Sequence, residues 1–244
     1  MLAELIGFLV PPAEPVDVLI LGFAMPDVWP ERATATFLSH LCPGSPLAFA
    51  VCDQGCAAGF TALRLARDYA VSGGCHRVLV ALAEQARLDY DPPAPPTRPT
   101  SPPPTLPVRH AAFAMLCDAQ PAPAAGRPGK DGAPLLSAVR VLPGVTAGQV
   151  PVILARELAA LPLTETGEEK RSLVLGEGLA SLVGGDVPGW RSVPLPPGQP
   201  LTGVWCELAA WAAVPGRGAL AIADYDPGLR YLCLAAFAGQ GALS

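Results

Sequence analysis

Three near-continuous apolar runs set narrow limits on the fold. They are Val16–Phe23 (VDVLILGF), Leu47–Cys52 (LAFAVC) and His76–Leu82 (HRVLVAL). Runs of this length without polar alternation are what strands buried on both faces require. Arg32–Leu41 has helical composition and stops at Pro43-Gly44. Asp53-Gln54-Gly55 makes a tight connection into a helix predicted over Cys56–Ser72, which Gly73-Gly74 closes. Strand, helix and strand at this spacing form a parallel βαβ unit with a right-handed crossover.

The remainder is punctuated by proline. Nine of the seventeen residues from Asp91 to Pro107 are Pro, so this stretch reads as an extended loop outside the sheets. Pro121–Pro134 is a second loose stretch, with a strand-like run, Ala111–Cys117, between the two. Pro151–Leu161 reads as a helix, Glu165–Ser172 as an exposed charged segment, and Leu173–Val183 fits either helix or strand. Pro188–Pro200 reads as a connection. Thr202–Val214 is predicted helical, with Trp205, Leu208, Ala209, Trp211 and Ala212 inward. Ala219–Asp224 and Tyr231–Phe237 follow as two strands joined at Asp226-Pro227-Gly228.

Composition narrows the function classes. Of 244 residues, 51% are apolar and 15% charged, against a usual charged share of about 25%. Bulk disorder is excluded, and the chain is expected to bury surface against a partner. The net charge is 16 − 21 = −5, with no basic cluster, so no nucleic-acid partner is expected. No run approaches about 18 uncharged apolar residues, so no membrane span is expected. The opening MLAELIG has Glu4 and no basic residue before its apolar run, unlike a signal peptide. The seven scattered cysteines read as reduced thiols of a cytoplasmic protein. With three His and only Cys52-x3-Cys56 closely spaced, no metal site is expected.

Cys56 is the first candidate for chemistry. It follows a buried strand and a glycine, and it opens a helix. A thiol there faces unpaired N–H groups and the positive end of the helix dipole. The expectation is a thiolate-forming group with a pKa below the ordinary ~8.5, whose neighbouring N–H groups can hold an acyl oxyanion. The competing reading is one more small buried apolar residue.

The segment Asp53–Asp68 (DQGCAAGFTALRLARD) resembles the nucleophile segment of the chalcone-synthase and β-ketoacyl-ACP-synthase-III families. Upstream, Val16–Asp27 resembles the families' strand ending in Pro-Asp; downstream, Ser72–Glu84 resembles their turn, Arg-Val-Leu-Val strand and terminal Glu. The match is specific over residues 16–84, fainter over 202–241 and scarce between. The resemblance implies an α/β chain with the layered αβαβα thiolase fold, mixed sheets and two related halves, here residues 1–120 and a degenerate 121–244. It also implies a dimer, and a Cys56 nucleophile that accepts acyl groups from CoA or a phosphopantetheinyl acyl carrier protein as substrate, with no cofactor bound. In Phe237–Gly241 it implies a glycine-rich oxyanion loop, assigning backbone roles to Ala238 and Gly239 beside Cys56.

The departures from that pattern carry equal weight. The chain begins close to Val16, so the opening strand and following helices are expected to be largely missing, an N-terminally truncated fold. All three His (40, 76, 110) lie in the first half, and Leu173–Leu179, where the families carry a catalytic His, has none. Their Asn corresponds to Leu201, which cannot donate a hydrogen bond to an enolate. His110 is a candidate stand-in base because imidazole titrates near neutrality. Glu84 and Glu177 read as capping or pairing residues before they read as bases. Two functions stay open: an acyltransferase loaded at Cys56 for fatty-acid or polyketide-type secondary metabolism, and a non-condensing, chain-length-factor-like subunit. The partners expected are the carrier protein or CoA thioester and either a second copy or a full-length ketosynthase.

Overall fold

The computed structural model describes residues 1–24, 33–87, 106–119, 133–163, 171–185, 187–214 and 218–239. Both proline-rich loops lie outside the described residues except at their edges, as do Pro26–Asp27 and most of Glu165–Ser172. The first sheet contains β1 (Val18–Phe23), β2 (Leu47–Val51), β3 (Arg77–Glu84) and β4 (Ala111–Asp118) in the order β2-β1-β3-β4. β1 is parallel to β2 and β3, and β4 is antiparallel to β3. The second sheet contains β5 (Leu135–Leu142), β6 (Arg171–Leu175), β7 (Arg191–Pro194), β8 (Ala219–Asp226) and β9 (Tyr231–Ala238) in the order β5-β9-β8-β6-β7.

The helices are α1 (Leu2–Leu9), α2 (Thr34–Ser39), α3 (Ala57–Val71), α4 (Val150–Ala159), α5 (Glu177–Ala180) and α6 (Gly203–Ala212). Successive residues of a strand point to opposite faces, and here each face meets a different layer. Leu19, Leu21, Leu79 and Ala81 pack outward onto Ile6 of α1 and Leu38 of α2. Val18, Ile20, Val78 and Val80 pack inward on Phe60 and Leu63 of α3 and on Trp205 of α6. Val174, Leu220 and Ile222 of the second sheet close that core from the other side. Leu173, Leu175 and Ala221 face Leu154 of α4 and Leu179 of α5. The order of layers is α-β-α-β-α, and it explains apolar runs without alternation.

Between the sheets, α3 and α6 touch at a glycine. A Cβ on Gly59 would sit 2.6–2.9 Å from the Trp205 indole. The indole is fully buried, 5.1 Å from the Phe60 ring and 5.7 Å from the Phe113 ring.

Several expectations change. The opening segment forms α1, with Ile6 and Val10 buried against the first sheet. The run 135–142, to which the sequence reading assigns no element, is a strand paired to β9. The connection 188–200 contains the four-residue β7, which among the described strands pairs only with β6. The ambiguous segment 173–183 splits into the end of β6 and α5. On α6, Val204 joins Trp205, Leu208 and Trp211 inward, whereas Ala209 and Ala212 are exposed.

Candidate active site

Cys56 sits where the first half meets the second. The chain leaves β2 at Val51, turns with Asp53 at φ 58° and Gly55 at φ 50°, and enters α3 directly after Cys56. Positive φ at Gly55 is the conformation glycine adopts without a Cβ penalty. Space demands glycine as well, because a Cβ there would run into the Asp226 carboxylate. Thr61 of α3 donates to the Gln54 side chain at 2.6 Å and steadies the turn.

From the other half, the β8–β9 hairpin closes on this turn. Asp226 ends β8 and accepts the Leu229 N–H at 2.9 Å. Two residues earlier on the same strand face, Asp224 is 2% exposed and accepts N–H groups from Tyr225 (2.8 Å) and Gly178 (3.2 Å). A Cβ on Gly176 would overlap the Asp224 carboxyl. In the segment where the resemblance implies an imidazole, the space beside Gly176 therefore holds a carboxyl from β8. Cys233, fully buried, pairs across the hairpin with Asp224.

The electrostatics reverse one expectation. Burial pushes the Cys56 thiol well above the ordinary thiol range, and ionisation of the neighbouring acids Asp224, Cys233 and Asp226 raises it further. Its own backbone N–H is the smallest contribution and the only one favouring thiolate. The helix start supplies little because the Ala57 and Ala58 N–H groups already donate to the carbonyls of Gln54 (2.9 Å) and Gly55 (3.3 Å). Burial also raises Asp224 to about 8, with the Glu177 charge adding to the effect and the two backbone donors opposing it. The acid of this site that titrates near neutrality is thus a carboxyl.

The other candidates lie elsewhere or do other work. Ala238 pairs with Ala219 at the start of β8, and the Gly239 N–H donates to the Gly218 carbonyl at 3.0 Å. That is five residues along β9 from Cys233, about 16 Å, so the structure does not bring Ala238 and Gly239 to Cys56. The hairpin turn approaches Cys56 instead. His110 is exposed where the chain enters β4, whereas Cys56 is buried.

Glu84, 4% exposed at the end of β3, accepts the N–H groups of Leu201 (2.7 Å) and Thr202 (2.9 Å), the Gln199 amide (2.9 Å) and a short bond from the Thr202 hydroxyl. It caps α6 and ties the halves together. Glu177 accepts the Gly198 N–H at 2.6 Å, a pairing role. Leu201 is buried in the central core. Asp224 escaped the sequence reading; its signal was the Gly176-Glu177-Gly178 spacing, which leaves room for a side chain from another strand. Among the described residues, no three metal-ligating side chains cluster, and no helix is long and apolar enough to cross a membrane.

The fold is thiolase-like. The chain covers 92% of its own length and 76% of AbyA1, a tetronic acid condensing enzyme, at 16% identity and a TM-score of 0.61. It covers 93% of itself and 78% of ChlB3, an acyltransferase, at 18% identity and a TM-score of 0.60. Against the ishigamide ketosynthase/chain length factor the values are 93%, 74%, 17% and 0.56. At such identities the likeness is one of fold. No protein-family model matches the chain, and no curated protein matches it in sequence.

Proposed function

We propose that the chain is a ketosynthase-like acyltransferase of fatty-acid or polyketide-type metabolism, loaded at Cys56 from an acyl-CoA or an acyl carrier protein. The observation that carries this reading is the placement of the Cys56 thiol with the Asp224 carboxyl in one buried junction between the halves. Structural likeness to a condensing enzyme and an acyltransferase supports the substrate class. In the loading step the Cys56 Sγ attacks the thioester carbonyl and its proton passes to the Asp224 carboxylate. The Sγ–acyl bond forms, the bond to the pantetheine sulfur breaks, and Asp224 returns the proton to the leaving thiolate. A carboxyl titrating near 8 is suited to both directions at neutral pH. The Cys56 N–H is the backbone donor for the oxyanion in this scheme. An acceptor nucleophile then takes the acyl group. With Leu201 in place of Asn and no imidazole beside Cys56 among the described residues, decarboxylative condensation is not part of the proposal.

The test is intact-protein and peptide mass spectrometry after incubation with acyl-CoA and with acyl carrier thioesters. An acyl adduct on Cys56, lost in Cys56→Ala, supports transfer; no adduct from either donor class refutes it. The second reading, a chain-length-factor-like subunit of a ketosynthase, is favoured by the burial and raised pKa of the thiol. It requires that Cys56→Ala bind the ketosynthase partner unchanged and preserve product output.

A further inference from the structure

Thr61 lies in the second turn of α3 and is 7% exposed. Threonine is a poorer helix former than alanine, and a buried hydroxyl is costly unless it is bonded. A helical threonine commonly meets that need locally, by donating to a carbonyl three or four residues back. Thr61 has one proton to donate. It gives that proton to the side-chain oxygen of Gln54, seven residues back and outside the helix, at 2.6 Å. The hydroxyl therefore serves the turn before the helix, and nothing in the packing of α3 calls for it.

Gln54 is the point at which that turn needs holding. It stands between Asp53 at φ 58° and Gly55 at φ 50°, and sparsely populated conformations of this kind persist where the surroundings over-determine them. Its carbonyl accepts the Ala57 N–H at 2.9 Å. With the Thr61 hydroxyl on its side chain, Gln54 is fastened to α3 by both backbone and side chain, two residues before the nucleophile. The start of α6 is tied in another way, by Glu84 of β3 taking the backbone N–H groups of Leu201 and Thr202. The tie before α3 runs from side chain to side chain, so it consumes no backbone N–H that an oxyanion at Cys56 would use.

We propose that Thr61, acting through Gln54, is a positioning residue for Cys56: its hydroxyl holds the turn 53–55 in the shape that directs Sγ at an acyl carbonyl. The role rests on the acyl-loading function proposed above. Thr61 and Gln54 take no part in the transfer of the proton or the acyl group. Thr61→Val keeps the branched shape and the packing and removes only the donor. Gln54 is half-buried, so a water can take the place of the lost hydroxyl. The turn then loosens while the fold is kept. A misplacement of about 1 Å at the reacting atom costs up to about 100-fold in rate.

The rate of acyl loading on Cys56, followed by intact-protein mass spectrometry over a range of acyl-CoA concentrations, tests this. Thr61→Val should lower the maximal rate about 10- to 100-fold and leave the half-saturating concentration within about twofold. Thr61→Ser, which keeps the donor, should stay within about threefold of wild type. Gln54→Ala should reproduce the loss alone, which decides the matter if Thr61→Val does not fold, and adding Thr61→Val to it should change nothing further. A readout free of acyl chemistry is hydrogen exchange: the Ala57 and Ala58 amides should exchange at least about tenfold faster in Thr61→Val, with β3 unchanged. Additive losses in the double variant, equal losses in Thr61→Ser and Thr61→Val, or unchanged exchange at Ala57 and Ala58 overturn the role. Wild type and Thr61→Val loading at one rate overturns the positioning role alone. Wild type that accepts no acyl group overturns the acyl-transfer function, and the positioning role falls with it.

Discussion

Asp224→Asn isolates the proton that the proposed chemistry depends on. Asn keeps the shape and an oxygen that accepts from Tyr225 and Gly178, so the substitution removes titration and little else. The wild-type carboxyl rises from 3.8 to about 8 on folding because it is buried. Between those values the native state holds a proton that the unfolded state has released. Stability therefore falls as pH rises through this window, by at most about 1.4 kcal/mol per pH unit, and levels off above about 8. Over the whole window the loss approaches about 6 kcal/mol, a large part of the 5–15 kcal/mol that domains possess. Asp17 acts in the opposite sense. Its carboxylate is held low by the backbone N–H groups of Arg77 and His76, and its contribution disappears only as pH falls below the usual carboxylate range.

The assay is urea unfolding of wild type and Asp224→Asn from pH 5 to pH 8. The wild type should lose stability relative to the variant with each step upward, and the difference between the two curves should slope by roughly 1 kcal/mol per pH unit. Parallel curves would show that Asp224 is already ionised when folded. With an ordinary carboxylate pKa it would be too weak a base to take the Cys56 proton, and the proton path drawn from Cys56 would fail with it.

Three other substitutions or probes follow from the same geometry. Glu84→Ala should cost about 2–6 kcal/mol because the buried N–H groups of Leu201 and Thr202 lose their acceptor, whereas Glu84→Gln should cost about 1–2 kcal/mol; urea midpoints of both variants give the ranking, and equal costs would contradict it. Gly59→Ala, a helix-interior change that ordinarily stabilises by about 1 kcal/mol, should instead destabilise by about 1–3 kcal/mol as the new Cβ meets the Trp205 ring, read as a lowered Tm. Iodoacetamide at pH 7 should label exposed Cys206 before Cys56, as peptide mass spectrometry resolves, and Cys56 labelling should increase towards alkaline pH because burial holds its thiol protonated.

The elements legible in the sequence are those whose surroundings leave a local trace. β1 and β3 are sandwiched between two helix layers, so each is apolar at nearly every position. α1 has eight residues and Glu4 in its first turn, too short for a helical period to stand out. β5 runs Leu-Leu-Ser-Ala-Val-Arg-Val-Leu directly after a Gly- and Pro-rich stretch, and β7 is four residues with a terminal proline. The order of β5 beside β9 is a property of topology, and no local pattern states it.

The candidate site divides along the same line. Strand, Gly, Cys and helix are contiguous, so Cys56 could be picked out from its neighbours alone. Its acidity could not. The dipole argument treats the first N–H groups of α3 as free, yet the turn that positions the thiol is closed by hydrogen bonds to two of them. Burial by the assembled fold raises the thiol most, and the acids that add to it arrive from residues 224, 226 and 233, about 170 positions further along the chain. The segment Phe237–Gly241 resembles the families' oxyanion loop, but β9 carries its described residues, as far as Gly239, away from Cys56, while the Asp226–Arg230 turn lies near the Gly55–Cys56 turn. Composition can nominate a nucleophile, because its backbone setting is local. Whether that nucleophile is ionised depends on how deeply the fold buries it and, after that, on which distant acids it packs nearby. In this chain they oppose the thiolate, which is why the proposed mechanism transfers the Cys56 proton during attack and does not begin from a preformed thiolate.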